Sequence, residues 1–193
     1  MPLVMTSSMK LVILDRDGTI NEDSEEFVKS PEEWTPLPGA LEAIARLNHA
    51  GWHVVVASNQ PGLGRGLFDV VMLNAVHDKM NKMLAAVGGR IDAIFYCPHS
   101  PDDKCRCRKP GPGLIEQIGE RYGLALAEVP MVGDALSDLL AGAAAGCKPH
   151  LVLTGKGAVY RGCERPSTFP AATPVHADLA AFADFLIDRE AMG

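Results

Sequence analysis

Short apolar runs alternate with segments of helical periodicity along most of the chain, and this alternation restricts the fold more than any other feature. Five apolar runs predict buried strands, over residues 10–14, 53–57, 91–96, 129–132 and 150–153. Strands that are apolar on both faces belong to a mostly parallel sheet that helices cover on both sides. The alternation therefore predicts a layered arrangement of helix, sheet and helix.

Segments with apolar residues at helical spacing fill the intervals between these strands. They predict helices over residues 39–51, 69–87, 112–118, 139–145 and 178–189. Residues 155–175, rich in Gly, Pro, Ser and Thr, predict a surface excursion before the last helix. Because crossovers between parallel strands are right-handed, we predict an α/β fold with a doubly wound, Rossmann-like sheet.

Composition narrows the possible partners and locations of the chain. Its 193 residues suit a single domain over 1–193, with residues 1–9 as a flexible tail. The net charge of -6 and the lack of a long basic run argue against nucleic acid and anionic membranes as partners. Neither a membrane-spanning stretch nor a secretory signal is recognisable, so we expect a cytoplasmic protein.

Polar motifs follow four of the predicted strands. They are 15-DRDGT-19, 58-SNQPG-62, 108-RKP-110 and 133-GDALSD-138. Taken singly, each has an ordinary explanation, namely a solvated loop, a polar turn, an exposed basic pair or a helix cap. Ligands of such sheets bind beyond the carboxyl ends of the strands, so all four motifs are expected to meet at one edge.

The chemistry of these motifs favours phosphoryl transfer. Asp15, Asp17 and Asp134 are carboxylates that a divalent cation must neutralise if they are buried together, and Mg²⁺ prefers such oxygen ligands. Lys109 supplies a point charge for a phosphate, and Ser58 supplies a hydroxyl donor. The sequence therefore predicts a magnesium and phosphate site at the edge of the sheet.

The four motifs resemble those of the haloacid dehalogenase superfamily over residues 11–146. The resemblance implies that Asp15 is the nucleophile and forms an aspartyl-phosphate, and that Asp17 is the general acid and base. It also implies that Asp15, the main-chain carbonyl of Asp17, and Asp134 hold Mg²⁺, while Ser58 and Lys109 stabilise the phosphoryl group. An Asp at position 17 favours a phosphatase over an ATPase of the same superfamily.

A compact group of soft ligands lies in the predicted loop over residues 97–107. Cys97, His99, Cys105 and Cys107 satisfy a closed tetrahedral zinc site, which is structural because no coordination position stays open. The alternative is one buried Cys with three incidental neighbours. We expect the zinc loop to stiffen the segment that delivers Arg108 and Lys109.

This loop, together with the first motif, resembles the heptose bisphosphate phosphatases, a family that also includes histidinol-phosphate phosphatases. The resemblance implies removal of the C7 phosphate of D-glycero-D-manno-heptose 1,7-bisphosphate during nucleotide-heptose synthesis for lipopolysaccharide, by a monomer. It implies a small sugar-phosphate substrate, bordered by Asp23, Asn59, Gln60 and Arg108. Two departures are Ser58, where Thr is frequent, and a short zinc loop.

Other interpretations stay open on the sequence alone. Histidinol phosphate is an alternative substrate, whereas a non-catalytic phospho-accepting signalling module and a zinc-stabilised binding protein are alternatives of other classes. The spacing between motifs leaves room for one helix and one strand after Asp15, so we expect a capless enzyme whose loops shape the pocket.

Overall fold

Six parallel strands form the central sheet of the computed structural model, which describes residues 9–192. Strand order across the sheet is β3-β2-β1-β4-β5-β6, with every pair of neighbours parallel. The strands are β1 (Leu11–Leu14), β2 (His53–Asn59), β3 (Ala93–Cys97), β4 (Pro130–Gly133), β5 (Lys148–Val152) and β6 (Val175–His176). This order confirms the predicted doubly wound α/β fold. Except for Met9, the predicted tail lies outside the described residues.

Helices cover both faces of the sheet. They are α1 (Ala40–His49), α2 (Pro61–Gly64), α3 (Val70–Ala86), α4 (Gly113–Tyr122), α5 (Leu136–Ala144) and α6 (Leu179–Ala191). The core residues of α1, α3 and α6 pack on one face, and those of α4 and α5 pack on the other. Strand side chains that point alternately to the two faces meet both layers, as the apolar runs predict.

The first strand shows how the two layers orient the sheet. Val12 and Leu14 pack with the layer of α1, α3 and α6, whereas Leu11 and Ile13 pack with the layer of α4 and α5. All four side chains are buried, and each contributes about 1.5–3 kcal/mol relative to an exposed position. A shift of the β1 pairing by one residue would move each of these side chains to the opposite face, so the register of β1 is strongly specified. Asp15, the residue after Leu14, is therefore fixed at the carboxyl edge of the sheet.

Some elements differ from the sequence predictions. β2 continues through Ser58 and Asn59, which pair with Tyr96 and Cys97 of β3. A 3₁₀ segment, Gly155–Tyr160, and Val175, the first residue of the two-residue strand β6, lie within the predicted surface excursion over residues 155–175. Both are too short for a hydrophobic period, so tertiary pairing decides them rather than local pattern.

The connections before the third motif confirm that the fold is capless. Within residues 9–192, the chain between β1 and β2 forms a loop, a 3₁₀ turn at Pro31–Glu33, and α1. Between β2 and Lys109 it forms α2, α3, β3 and a loop, with no inserted domain in this described part. None of the helices described there is both long enough and apolar enough to cross a bilayer.

Candidate active site

A cavity of about 520 Å³ opens at the carboxyl edge of the sheet, where β1 and β4 lie side by side. The chain winds in opposite directions on either side of this pair, and such a switch point is where ligands bind in doubly wound sheets. Asp15 follows β1, and its main-chain N–H donates to the carbonyl of Val132 in β4 (2.8 Å). The cavity lining includes Asp15, Asp17, Arg108, Lys109, Asp134 and Lys156. Because Asn59 and Pro61 of the second motif also line the cavity, all four motifs meet here, as predicted from their order.

Lys109 is the buried cation at the base of the cavity. Its Nζ donates to Asp15 Oδ1 (2.8 Å), Asp138 Oδ1 (2.7 Å) and the carbonyl of Ala57 (2.7 Å). Those three contacts use every proton of the ammonium group. Burial disfavours the charge, but Asp138 and Asp15 outweigh burial and raise the pKa of Lys109. Lys109 is therefore permanently charged and held in one orientation.

The main chain of Lys109 is fixed from β2. Asn59 Nδ2 donates to the carbonyl of Lys109, and the N–H of Lys109 donates to Asn59 Oδ1, both at 3.0 Å. This two-way bond positions the lysine across the loop that follows β3. The sequence predicted Asn59 as a substrate contact; it also lines the cavity.

Three carboxylates lie close together at this point, and two of them, Asp15 and Asp138, pair with the ammonium group of Lys109. Asp15, Asp134 and Asp138 each offer an oxygen, and these oxygens lie within 4.8 Å of one another. Burial, followed by the charge of Asp138, raises the pKa of Asp15 well above its usual value and that of Asp134 to about 6. The single positive charge of Lys109 does not balance the negative charge of these carboxylates. Their oxygen-only donor set fits a hard divalent cation. Asp138 accepts a hydrogen bond from Lys109 and thereby orients its ammonium group.

A segment after β5 packs directly on the first motif. Thr154 Oγ1 donates to the carbonyl of Gly18 (2.6 Å), and the N–H of Lys156 donates to Asp134 Oδ2 (2.8 Å). Gly18 has φ +82°, and a Cβ there would lie 2.0 Å from Asp134 Oδ2; a Cβ on Gly155 would lie 2.3 Å from the same oxygen. Only glycine fits at either position.

Sequence reasoning missed this segment because it assigned residues 155–175 to an excursion. The available signal was a Thr-Gly-Lys-Gly run at the carboxyl end of a predicted strand, 154-TGKG-157. The fifth strand ends beside the fourth, so its carboxyl end belongs to the same edge as the four motifs.

Asp17 lies beside the carboxylates, but its side chain is engaged elsewhere. Arg16 and Asn21 donate to its Oδ1, and Gln60 donates to its Oδ2. Burial acts to raise the pKa of Asp17, but the charge of Arg16 and these hydrogen bonds outweigh burial and lower it. Its predicted role as a metal ligand therefore depends on the main-chain carbonyl and stays a prediction.

Ser58 and Gln60 form the wall behind Asp17. Gln60 Nε2 donates to Ser58 Oγ (2.7 Å) and to Asp17 Oδ2 (3.1 Å). Since Ser58 Oγ accepts this bond, its own proton is free to donate to another group. Gln60 is buried behind the cavity rather than exposed on its surface. The structure therefore places Gln60 between two predicted catalytic side chains.

The mouth of the cavity carries several charged side chains. Arg108 lines the cavity, and its buried Nη1 has no hydrogen-bond partner among the described residues. Lys156, which sequence reasoning missed, lies 3.7 Å (Nζ to Oδ2) from the predicted contact Asp23. Phe27 adds an apolar wall, and the guanidinium of Arg65 lies 5.5 Å from its ring centre. The mouth thus offers two cations, Arg108 and Lys156, to an anion.

The four predicted soft ligands converge in the loop after β3. Their ligand atoms, from Cys97, His99, Cys105 and Cys107, lie within 4.8 Å of one another. Neighbouring pairs among them are 3.2 to 3.6 Å apart, and all three cysteines are free thiols. This cluster could hold a metal ion. It lies directly before Arg108 and Lys109, so its geometry sets the path of the loop that carries both.

Comparisons with known proteins agree with this site. Residues 106–181 match the HAD-hydrolase-like family model. A relative from Bordetella bronchiseptica is 58% identical over 181 residues, covering 94% of this chain and 99% of its own length. Another from Pseudomonas aeruginosa is 49% identical over 180 residues, covering 93% and 99%. Both bear the name D-glycero-beta-D-manno-heptose-1,7-bisphosphate 7-phosphatase.

Solved structures give the same result. The D,D-heptose 1,7-bisphosphate phosphatase from B. bronchiseptica, crystallised with magnesium and phosphate, matches with a TM-score of 0.90 and 57% identity. That match covers 94% of this chain and 99% of the other. The enzyme from Burkholderia thailandensis matches with a TM-score of 0.71 and 53% identity, covering 92% and 98%. The chain belongs to the heptose-1,7-bisphosphate 7-phosphatase family of the HAD-like hydrolases.

Proposed function

We propose that the chain is a magnesium-dependent phosphomonoesterase that removes the C7 phosphate of D-glycero-D-manno-heptose 1,7-bisphosphate through an aspartyl-phosphate. The observation that carries this proposal is the convergence of Asp15, Lys109 and Asp134 at the base of one cavity. Relatives of 58% and 49% identity that share nearly the whole chain carry the corresponding name. The product would enter nucleotide-heptose synthesis for lipopolysaccharide.

The first chemical step transfers the phosphoryl group to the protein. A carboxylate oxygen of Asp15 attacks phosphorus, and the bond between phosphorus and the C7 oxygen breaks. Asp17 gives its proton to the leaving oxygen, which avoids release of an alkoxide and contributes about 10²–10⁴ in rate. Lys109, whose three protons already bond protein oxygens, stabilises the phosphoryl oxygens through its charge, and the free Ser58 hydroxyl stabilises them as a donor.

The second step returns the enzyme to its starting state. Water attacks phosphorus, the bond to Asp15 breaks, and Asp17 takes the proton that water loses. In the substrate-free site Arg16 keeps Asp17 ionised, as this base requires. A bound phosphate dianion acts in the opposite direction, since a nearby like charge favours the protonated acid needed in the first step.

Asp15, Asp134 and the main-chain carbonyl of Asp17 are the groups that we assign to Mg²⁺. The shortage of positive charge among the buried carboxylates supports this assignment, as does a 57% identical relative crystallised with magnesium and phosphate. When bound, Mg²⁺ supplies charge neutralisation that lets an anionic nucleophile approach an anionic phosphate.

Zinc is our proposal for the cluster of Cys97, His99, Cys105 and Cys107. In a tetrahedron with Zn–S bonds of about 2.3 Å, neighbouring sulfurs are about 3.8 Å apart, close to the separations within this cluster. Three thiolates and one imidazole fill all four positions, so this zinc would stabilise the loop rather than take part in hydrolysis.

The mouth of the cavity suits a sugar with a second phosphate. We assign the distal phosphate to Arg108, whose buried Nη1 lacks a partner among the described residues, with Lys156 as a second cation. Asp23 and Asn59 provide acceptors for sugar hydroxyls, and Gln60 supports them from behind. We further propose a single-domain monomer that acts in the cytoplasm on this small substrate.

Phosphate release from a substrate panel tests the proposed function. The panel contains the heptose 1,7-bisphosphate, the corresponding 1-phosphate and 7-phosphate, and histidinol phosphate, each with Mg²⁺ and with EDTA. We expect kcat/KM for the bisphosphate to exceed that for histidinol phosphate by about 100-fold or more, because the distal cations need a second anion. A preference for histidinol phosphate, or activity unaffected by EDTA, would contradict the proposal.

A further inference from the structure

Arg16, which lies between the two aspartates of the first motif, is completely buried, with 0% of its surface exposed. A guanidinium carries five N–H donors and is rarely buried without partners. Arg16 donates from Nε (3.0 Å) and Nη2 (2.7 Å) to Asp17 Oδ1. The sequence analysis assigned no role to Arg16, whereas in the structure its side chain binds the second of these aspartates.

His77 of α3 satisfies the other end of the guanidinium. Arg16 Nη1 lies 3.0 Å from His77 Nε2, and both side chains are buried. Because arginine can only donate, Nε2 must present its lone pair, and the proton of the neutral ring lies on Nδ1. Burial and the charge of Arg16 lower the pKa of His77 to about 4, so the ring is neutral at physiological pH. The contact is therefore maintained under working conditions.

These contacts make the two oxygens of Asp17 unequal. Oδ1 receives two bonds from Arg16 and a third from Asn21 Nδ2 (2.9 Å), which exceeds its two lone pairs. Oδ2 receives one bond, from Gln60 Nε2 (3.1 Å). Oδ2 therefore keeps a free lone pair, on a carboxylate that lines the cavity.

We propose that Arg16 and His77 form a positioning pair that holds Asp17 by Oδ1 and reserves Oδ2 for proton transfer. In the first step the proton on Oδ2 passes to the leaving oxygen as the phosphorus–oxygen bond breaks. In the second step Oδ2 takes a proton from the attacking water as the bond from phosphorus to Asp15 breaks. This inference rests on the proposed phosphatase function and deepens it.

The pair acts as a unit because a buried guanidinium needs all of its partners. Without an acceptor at position 77, the Nη1 group of Arg16 would be buried and unpaired, which favours a turn of the guanidinium away from Asp17. A rotated guanidinium would no longer hold Asp17 by two bonds. Proton transfer would then lose its fixed geometry, to which catalysis by a positioned acid is sensitive.

Dependence on the leaving group tests the pair. The heptose bisphosphate releases an alkoxide that needs a proton, whereas p-nitrophenyl phosphate releases a stable phenolate that does not. We expect His77→Leu to lower kcat/KM about 10–100-fold for the bisphosphate and less than about 3-fold for p-nitrophenyl phosphate. Since kcat/KM covers the steps up to formation of the phospho-enzyme, the second step that both substrates share does not obscure the comparison.

Three further variants complete the experiment. His77→Gln keeps an acceptor oxygen and should restore most of the lost activity on the bisphosphate. Asn81→Leu introduces the same side chain at an exposed position one turn along α3, and it should leave kcat/KM for both substrates unchanged. Arg16→Lys keeps the positive charge but loses the planar guanidinium that bonds Asp17 twice. It should therefore change the ratio of kcat/KM between the two substrates as His77→Leu does. If His77→Leu does not fold, Arg16→Lys takes its place in the test.

The outcomes separate this inference from the proposed function. If the wild-type enzyme hydrolyses both substrates, and His77→Leu and Arg16→Lys lower kcat/KM equally for the two substrates or not at all, the positioning pair alone is overturned. A wild-type enzyme that hydrolyses neither would overturn the phosphatase function, and the pair with it. A substrate ratio that shifts in both variants and returns in His77→Gln supports the pair.

Discussion

The carboxylate cluster of Asp15, Asp134 and Asp138 and the thiolate cluster of residues 97–107 could each hold a metal ion, and the two clusters are built in opposite ways. The first assembles oxygens from separate segments of the chain at the edge of the sheet and lines an open cavity. The second assembles three sulfurs and one nitrogen within a single loop. The first lines an open cavity with room for a substrate, whereas the second offers four ligands, the number that a closed tetrahedral zinc site requires.

The difference shows how donor chemistry separates two roles within one small protein. Hard oxygens with a free approach suit a cation that works on a phosphate, while thiolates that surround their ion suit a structural metal. The two clusters are mechanically linked, because the loop of the thiolate cluster leads directly into Arg108 and Lys109. The comparison therefore predicts that damage to the first abolishes turnover, and damage to the second mainly loosens the site.

Asp15→Asn gives the largest expected effect. Loss of the nucleophile should lower kcat by about 10⁴-fold or more, because the amide oxygen cannot form the acyl-phosphate. The thermal midpoint should not fall, since the change removes one of three buried like charges. Phosphate release and thermal unfolding, measured together, check both expectations. Retained turnover would show that the carboxylate cluster is not the reacting site.

Cys107→Ser should damage the thiolate cluster without removing any group that contacts phosphate. We expect bound zinc to fall from about one per chain to near zero, and the free energy of unfolding to fall by about 2–4 kcal/mol, comparable with loss of a cross-link. Cys163→Ser is the matched control, because Cys163 is exposed and lies outside the cluster. Equal zinc content in both variants would contradict the assignment.

Arg108→Ala tests the link between the two clusters. Loss of a buried charged donor should raise KM for the bisphosphate about 10–100-fold, corresponding to about 1.5–3 kcal/mol, with a smaller effect on the 7-phosphate. Arg106→Ala is the control, because the Arg106 side chain is 75% exposed and pairs with Glu116. If the two variants show the same KM, Arg108 does not bind the distal phosphate.

His150 and His176 form a buried pair of titratable rings that lies outside both clusters. His150 Nδ1 lies 3.0 Å from His176 Nε2, so these buried rings satisfy each other rather than an ion. Burial, the neighbouring His176, and the charges of Arg189 and Lys148 lower the pKa of His150 to about 3. The unfolded chain binds this proton near pH 6.5 and the folded chain does not, so stability is lost as the pH falls below about 6.5.

Protonation at His150 should lower the free energy of unfolding by about 2 kcal/mol between pH 7 and pH 5. This is the smallest of the expected effects, because it does not involve any catalytic group. His150→Leu should remove that part of the pH dependence, while the contribution of His176, whose pKa burial also lowers, persists. Urea unfolding of both proteins at several pH values measures the difference in slope. Identical slopes would show that His150 is not buried in its neutral form.

Several site residues were predictable because their signals are local. The Asp pair after β1 and the Gly-Asp run after β4 follow apolar strands, and parallel strands bring their carboxyl ends to one edge. The cysteines and histidine of residues 97–107 were recognisable by composition alone, and the structure brings their ligand atoms together.

Other residues gave no such signal. Lys156 follows a strand whose polar continuation resembles a surface loop, and only the packing of Gly155 on the first motif reveals its position. Nothing in the spacing of α3 distinguishes His77 from a core histidine, because its partner Arg16 is distant in sequence. Gln60 was predicted as a substrate contact, but its buried bonds to Ser58 and Asp17 depend on the path of the turn after β2.

The sequence alone determined the layered architecture, the edge at which chemistry occurs, and the types of donor present there. These properties follow from hydrophobic periodicity and from the direction of parallel strands, both of which are readable over short windows. Tertiary structure alone decided which carboxylate faces Lys109, which oxygen of Asp17 stays free, and which distant side chains support it. Those choices depend on hydrogen bonds between segments far apart in the chain, whose geometry no local pattern specifies.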